Sequence, residues 1–579
     1  MPLGCRVHAG CGGGLIGDSP TVASAFGVNL EEVEGWALGE GVRLPTFRRF
    51  HDEALLVAIS RLSQAIYREQ YGGFSALEQG PRGGNWLVIG RDPSLRLPID
   101  GLIPFQRLEA IGFPEIIQGG ERRTVYTAKA FLDSLRLAWH GGEAHPFERL
   151  IADFENSLAN LVLNRVLFYL HSWDGSAVEP AFEGHNSYPF PALRLGPSLA
   201  QVVSCSNLSR RPVELPLAST QTHRFIAADY ENDEAFFHRW AGYTPREWSP
   251  GLMPIHPWQL ELSTVIRNCR LLGMLDILQH QVVAMPLASQ RTCRIMATGY
   301  DVKLPIDATL TSERRLMYPL NALNAPIVSA LARTFLDASG PDTLEFQYDV
   351  ASMVYPDERI GRHLAMIVRD PLPEHADDTI VPALLLWTGP GLARSLLRLD
   401  DCERAYEVFL AYCRILLRGP VEFYAGWGMA FEPHLQNALI RVRCGWPVGL
   451  VLRDLDATIL DPVRIPQRLQ ENRLQLPDER WNAMPAFASG GKRLIHAILH
   501  SHLSQVMSYL VKHVGVEIAA LSSCVDSVWD ELHRSHWGPS RDRIAELRAH
   551  SSAVKCLLTT RMERSVTLSF LRPHVPHTE

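Results

Sequence analysis

The sequence predicts an α+β, multidomain protein, and three observations carry that prediction. The 579 residues make about three or four domain-sized units. Residues 1 to about 135 mix helix and strand signals, a long helical passage follows them, and helices dominate after about Asp400. Between them, from about Asp174 to Pro319, the chain is Pro-rich and strand-like.

The elements follow in order. Asp52 to Tyr71 (DEALLVAISRLSQAIYREQY) has helical spacing, and Trp86 to Gly90 (WLVIG) is a short apolar run bounded as a buried strand is. In IADFENSLANLVLNRVLFYLHSW, Phe154, Leu158, Leu161 and Val162 share one helical face. Short runs such as MPIHPWQLE, VVAMPLASQRTCRIM and YDVKLPID follow, with a strand expected over Val282 to Leu287. DCERAYEVFLAYCRILLRGP carries a stripe of Ala405, Val408, Phe409, Tyr412 and Leu416, with Gly419-Pro420 as its expected stop.

Composition narrows the function classes. With 46% hydrophobic and 21% charged residues, a large core is within reach, which excludes a disordered chain or a fibre. Lys and Arg number 56 against 63 Asp and Glu, for a net charge of −7. No broad basic surface follows, so nucleic acid is not an expected partner and any anion must meet a local cluster. The first twenty residues, MPLGCRVHAGCGGGLIGDSP, hold no apolar run and do not read as a secretory signal. The apolar stretch Thr379 to Ala393 is broken by Pro382, Gly389 and Pro390, and falls short of the roughly 20 residues a membrane span needs. Ten scattered Cys without a CxxC pair read as reduced thiols, which suits the cytoplasm.

Two segments concentrate chemistry. Between Ser289 and Arg315 lie Arg291, Arg294, Lys303, Arg314 and Arg315 against Asp301, Asp307 and Glu313, with Thr292, Thr311 and Ser312 among them. Arg is a planar bidentate donor and Lys a point charge, so such a set can cradle phosphate and carboxylate. A solvated strand face is the alternative reading of the same residues. The second segment is a hairpin, with strands over Ala438 to Cys444 and Val448 to Asp454 around Gly445-Trp446-Pro447. Pairing centred between Gly445 and Trp446 sets Asn437 opposite Asp454, bringing Glu432, His434, Gln436 and Asn437 near Asp454 and Asp456. Carboxylates with an amide oxygen are hard ligands suited to nucleotide-bound Mg²⁺, and His434 can serve as acid, base or ligand. A similar metal-binding hairpin occurs in protein-kinase-like folds, which keeps phosphotransfer open; capped ends with surface acids are the plainer reading. His496 and His500 have metal-ligand spacing, but no glutamate follows the first histidine as HExxH requires, so packing is expected. There is no Walker A, Rossmann or GxSxG motif, and Gly12-Gly13-Gly14 is too isolated for a phosphate loop.

Taken in order, the segments resemble the aerobactin-type (IucA/IucC) siderophore synthetases, which work without a peptide-synthetase assembly line. The matching pieces are ENSLAN (155–160), EGH…P…R.G (183–196), PIHPWQ (254–259), S.RT (289–292), KLP…TS..R (303–315), FEPHLQN (431–437) and RDLD (453–456), with a lysine-bearing tail, HSSAVKCLLTTRM (550–562). The resemblance implies a cupped-hand architecture of thumb (1–140), fingers (141–395) and palm (396–579). The palm would be kinase-like, and ATP and acid would share a central cavity. It implies that a carboxylate of citrate or a related polycarboxylic acid attacks ATP to give an acyl adenylate and pyrophosphate. An amine or hydroxyl then displaces AMP. By the same resemblance Ser289, Arg291, Thr292 and Lys303 meet the phosphates, with His185 near the α-phosphate. Gln436 and Asn437 line the nucleotide site, Glu432 and Asp454 hold Mg²⁺, and Thr311, Arg315, His434 and Lys555 receive the acid. Arg315, His434 and His185 are the expected catalytic set, and a homodimer is implied. One departure stands out: the family usually carries Pro, His and Lys where this chain has Asn186, Tyr188 and Ala192. A kinase-like enzyme yielding ADP, or a homologue that binds without turnover, are the competing readings.

Overall fold

Helices form where the apolar spacing predicts them. The computed structural model describes residues 27–80, 84–139, 144–171, 179, 183–220, 226–228, 234–244, 251–388, 391–473, 490–563 and 570–571. Expectations touching residues 1–26, which include Cys5, Cys11 and Gly12 to Gly14, lie outside them. Leu44–Glu69 and Ala144–Leu170 are long helices that pack on each other, the second burying Phe154, Leu158, Leu161 and Val162. Among the described residues, no helix is long and apolar enough to cross a membrane.

Two large sheets give the strand content. In the first, antiparallel strands Ser75–Gln79, Asn85–Ile89, Ser94–Ile103, Glu115–Gln118 and Glu121–Thr124 lie side by side, and Arg107–Ala110 also pairs with Ser94–Ile103. The second runs Leu252–Pro254, Val213–Ser219, Asp276–Pro286, Thr292–Ile295, Asp301–Lys303, Ala365–Arg369, Asp349–Val354 and Ile226–Ala228, antiparallel throughout. A smaller sheet places Leu344–Phe346 parallel to Trp446–Leu452, followed by Ala438–Arg443 and Thr379–Pro382.

Three local expectations are corrected. The segment MPIHPWQLE is strand only over Leu252–Pro254; Pro257 then starts the helix Pro257–Leu262, whose first turn the His256 ring caps by accepting from the Trp258 N–H. Helix Cys402–Glu422 runs through Gly419-Pro420 instead of ending there, and a π-turn over Phe423–Trp427 extends it. Its stop is Gly428, left-handed at φ 78°, the conformation a helix C-cap favours. In the hairpin, Cys444 and Gly445 both have positive φ (52° and 86°) and form the two-residue turn themselves. A bulge between Arg441 and Val442 then shifts the register, pairing Ala438 with Leu452. The Arg453 N–H donates to the Asn437 carbonyl at 3.1 Å, so Asn437 faces Arg453 and not Asp454.

Hydrophobic packing divides into two principal cores. One joins both large sheets and the N-terminal helices, and takes in Leu558 and Met562 from near the C-terminus. The other gathers the helix Pro319–Ser339, the hairpin sheet and the helices after Cys402. The charged groups described next lie where these two bodies face each other.

Candidate active site

The eight-stranded sheet builds the first wall. Thr292 pairs with Lys303 and Asp301 with Arg369 in adjacent strands, so alternation points Thr292, Lys303 and Arg369 to one face. From that face the Lys303 Nζ donates to Asp454 Oδ1 and Asp456 Oδ1, both at 2.7 Å. Arg369 donates through Nε to Asp349 Oδ1 at 2.8 Å and through Nη2 to Asp454 Oδ1 at 2.9 Å. Asp454 follows the hairpin in a left-handed conformation (φ 69°), which turns its carboxylate out of the ladder and toward the cations. Burial alone would raise its pKa, but Lys303, Arg369 and Arg291 together push it well below the usual carboxylate range.

The turn before Thr292 is held by its own side chains. The Thr292 N–H donates to Ser289 Oγ at 3.1 Å, and Gln290 takes a positive φ of 64°. Arg291 extends from this turn close enough to bias both Asp454 and Arg315. Arg315 Nη2 donates to Thr311 Oγ1 at 2.7 Å, which fixes the fork in one plane. Burial, then Arg291, bring the Arg315 pKa down to about 10, so it stays charged near neutrality.

The second wall is the FEPHLQN turn. Lys555 Nζ donates to Glu432 Oε1 at 2.7 Å, and the His434 ring lies 6.1 Å from the His185 ring. His185 Nδ1 accepts from the Ser187 N–H, which leaves the proton of the neutral ring on Nε2. Burial, then His434, Arg315 and Lys555, push the His185 pKa down to about 3; burial lowers His434 as well. Both rings are therefore neutral near pH 7. Glu432 is held below its ordinary value because Lys555 and His434 outweigh its burial.

The ENSLAN and EGH motifs are partners of each other. Asn156, Asn160 and Asn164 recur four apart on one helix, and all three hold Arg194: Nη1 donates to Asn160 and Asn164 at 3.0 Å each, and the backbone N–H to Asn156 at 2.9 Å. Gly184 (φ 71°) cannot be replaced in place, since a Cβ there would lie 2.3 Å from the Pro191 carbonyl oxygen. The three departures from the family pattern all turn inward. Asn186 donates to the Ser501 carbonyl, Tyr188 packs on Phe190, and the Ala192 N–H donates to Ser157 Oγ at 3.1 Å. We expect Asn160→Ala to destabilise the fold by about 1–3 kcal/mol, because buried Arg194 loses an acceptor. A lowered urea midpoint checks this, and an unchanged one would refute the clamp.

Arg291, Lys303 and Arg315 thus stand with Glu432, Asp454, His185, His434 and Lys555 in one cluster, and Thr292, Thr311 and Ser289 line its edge. Gln436 offers its carbonyl to Arg453 (2.8 Å from Nη2), and the Asn437 side chain donates to the Glu432 carbonyl at 3.4 Å. His496 and His500 stack with ring centres 5.6 Å apart. The His500 nitrogens face the Phe105 and Ser551 carbonyls, while His496 Nδ1 accepts from the Lys555 N–H. Among the described residues, no group of three or more His, Cys, Asp or Glu is arranged to hold a metal ion. Sequence reasoning missed Arg369 and Asp349, and the buried pair of Arg453 with Glu179 (Nη2 to Oε2 2.9 Å). Their signal was a charge placed against an otherwise apolar strand, as in AMIVR.

Residues 175–386 match the model of the IucA / IucC family, and residues 407–569 match that of the ferric iron reductase FhuF-like transporter. An uncharacterized protein, y4xN, of Sinorhizobium fredii is 26% identical over 410 residues, covering 63% of this chain and 62% of its own length. Staphyloferrin A synthase of Staphylococcus aureus is 19% identical over 66% of this chain and 69% of its own. A spermidine-citrate ligase of Bacillus anthracis is 25% identical over 42% of this chain and 43% of its own. The fold is shared with ATP-bound aerobactin synthetase IucA of Klebsiella pneumoniae: TM-score 0.72, 17% identity, 89% of this chain and 99% of that one. The chain is thus similar over residues 175–386 to the IucA / IucC family, and over 66% of its length to a staphyloferrin A synthase.

Proposed function

We propose that the chain is an ATP-dependent ligase that adenylates a carboxylate of citrate or a related polycarboxylic acid. It then joins the acyl group to an amine or hydroxyl, releasing pyrophosphate and AMP. The observation that carries this is the pairing of the site's cations with the protein's own carboxylates: Lys303 with Asp454 and Asp456, and Lys555 with Glu432. Such positions are preorganised for oxyanions. A triphosphate and a polyacid supply them from outside, and the repulsion between those two anions is offset by Arg291, Lys303, Arg315, Arg369 and Lys555.

In this reading Ser289, Arg291, Thr292 and Lys303 bind the phosphates, and Gln436 and Asn437 border the nucleotide. Neutral His185 donates from Nε2 to an oxygen at the α-phosphorus. Arg315, Thr311, His434 and Lys555 hold the acid beside it, an alignment that contributes up to about 7–11 kcal/mol in favourable systems. Glu432 and Asp454 fit Mg²⁺ by donor type, since that ion takes one or two protein carboxylates and completes its shell with phosphate and water. Bound there, it would neutralise charge developing on the phosphates. Asn186, Tyr188 and Ala192, all turned into the protein, leave the acid to the Arg315 side of the site.

The test is exchange of labelled pyrophosphate into ATP with citrate, 2-oxoglutarate or succinate present. Acid-dependent exchange is expected, and its absence with all three would refute the adenylation step. Formation of ADP in place of AMP would assign the site to phosphotransfer.

A further inference from the structure

A short relay of buried groups anchors the turn that carries Glu432 and His434. The segment His496–Leu503 is a π-helix, and it places the fully buried His502 with Nδ1 2.8 Å from the Pro433 carbonyl oxygen and Nε2 2.6 Å from the Tyr412 hydroxyl. A carbonyl oxygen only accepts, so Nδ1 carries the ring proton. Burial brings the His502 pKa down to about 3, which keeps the ring neutral. Nε2 then presents a lone pair, and the Tyr412 hydroxyl must be its donor. Tyr412 is itself fully buried on the helix Cys402–Glu422, edge-on to Trp387 with ring centres 5.3 Å apart.

Every bond in this relay therefore has one direction, and it ends on a residue with a single polar handle. Proline has no N–H, so the carbonyl is all that Pro433 offers. On one side of it Glu432 meets Lys555; on the other the His434 ring faces His185, and the His434 N–H closes back on the Glu432 carbonyl at 2.8 Å. Pulling the middle carbonyl toward the core sets the direction in which both neighbours project.

We infer that Tyr412 and His502 are positioning residues that set the Glu432–Pro433–His434 turn through the Pro433 carbonyl, an inference that rests on the roles proposed for Glu432 and His434. Neither touches a reactant. They act by holding the groups that do, and a displacement of about 1 Å in such groups can cost on the order of a hundredfold in rate.

Three variants of the full-length protein test this. His502→Leu keeps the bulk and loses both hydrogen bonds. His502→Asn restores an N–H where Nδ1 stood. Tyr412→Phe removes only the donor to Nε2. In citrate-dependent pyrophosphate exchange, kcat/KM for the acid is expected to fall about tenfold to a hundredfold in the Leu variant. The Asn variant should recover most of that loss, and Tyr412→Phe should show a smaller loss of the same sign. Crystal structures give a readout that needs no activity: the Pro433 carbonyl and the Glu432–Lys555 contact should move in the Leu variant and return in the Asn variant. An unmoved turn, acid kinetics within about twofold of wild type, or an Asn variant no better than Leu would each overturn the inference. If the Leu variant does not fold, Tyr412→Phe against wild type decides by the same two measures. Wild-type protein inactive with every acid would refute the ligase reading instead, and the crystal structures would then settle the positioning alone.

Discussion

Lys303→Met is expected to abolish acid-dependent pyrophosphate exchange and to lower the melting temperature most strongly near neutral pH. The Lys303 ammonium is 4% exposed and lies 2.7 Å from two carboxylates. Removing one partner of such a buried set costs up to about 3–5 kcal/mol, because Asp456 loses its ammonium and Asp454 is left to Arg369 and Arg291. The pH dependence identifies the cause. In the wild type, Asp454 is held well below its ordinary pKa, so it adds stability that is complete above about pH 4 and disappears as pH falls through the folded value. In the variant, Asp454 loses Lys303, the largest of the cation contributions, and keeps Arg369 and Arg291, so its pKa moves up from the wild-type position. Its ionised form is then held less favourably, so the deficit grows as pH rises through the variant's value and shrinks as pH falls below it. Melting curves of both proteins from pH 7.5 down to about 3 measure this. A deficit that is constant with pH would assign the effect to lost packing. On the chemical side, one fewer donor to a developing oxyanion costs about 10²–10³ in kcat, so residual exchange near the wild-type rate would remove Lys303 from the phosphate site.

Arg315→Ala is expected to separate the two reactants. Its guanidinium is fixed by Thr311 at 2.7 Å and biased by Arg291 and Asp454, and its proposed ligand is the acid. Loss of a charge-assisted, bidentate partner should lower kcat/KM for the acid on the order of a hundredfold, with a much smaller change for ATP. Arg315→Lys should rescue little, because an ammonium cannot reproduce the planar fork that Thr311 holds in place. An equal loss for both reactants, or a larger one for ATP, would move Arg315 to the nucleotide side.

What was legible beforehand was local. The helix Leu44–Glu69 and the stripe of Ala405, Val408, Phe409, Tyr412 and Leu416 follow from apolar spacing, and the structure buries that stripe. The Gly419-Pro420 stop was misread because Gly419 serves packing: a Cβ there would lie 3.0 Å from Leu344. The hairpin was found but its register was not, since Cys444 is not a typical left-handed residue and a bulge leaves no compositional trace. His502 was passed over beside the more conspicuous spacing of His496 and His500. Arg369 was passed over because it closes a strand far along the chain from the carboxylates it meets.

The chain by itself determined its helices, most of its strands and the order of motifs that resembles the IucA/IucC proteins, because those depend on sterics, burial and residue order along the chain. Only the tertiary structure decided which charge meets which. Lys303 and Asp454 are 151 positions apart, and Glu432 and Lys555 are 123 apart. No local pattern sets such distances. They result from two separately packed cores brought face to face, and from a one-residue bulge and a left-handed Asp454 that turn a carboxylate toward its cations.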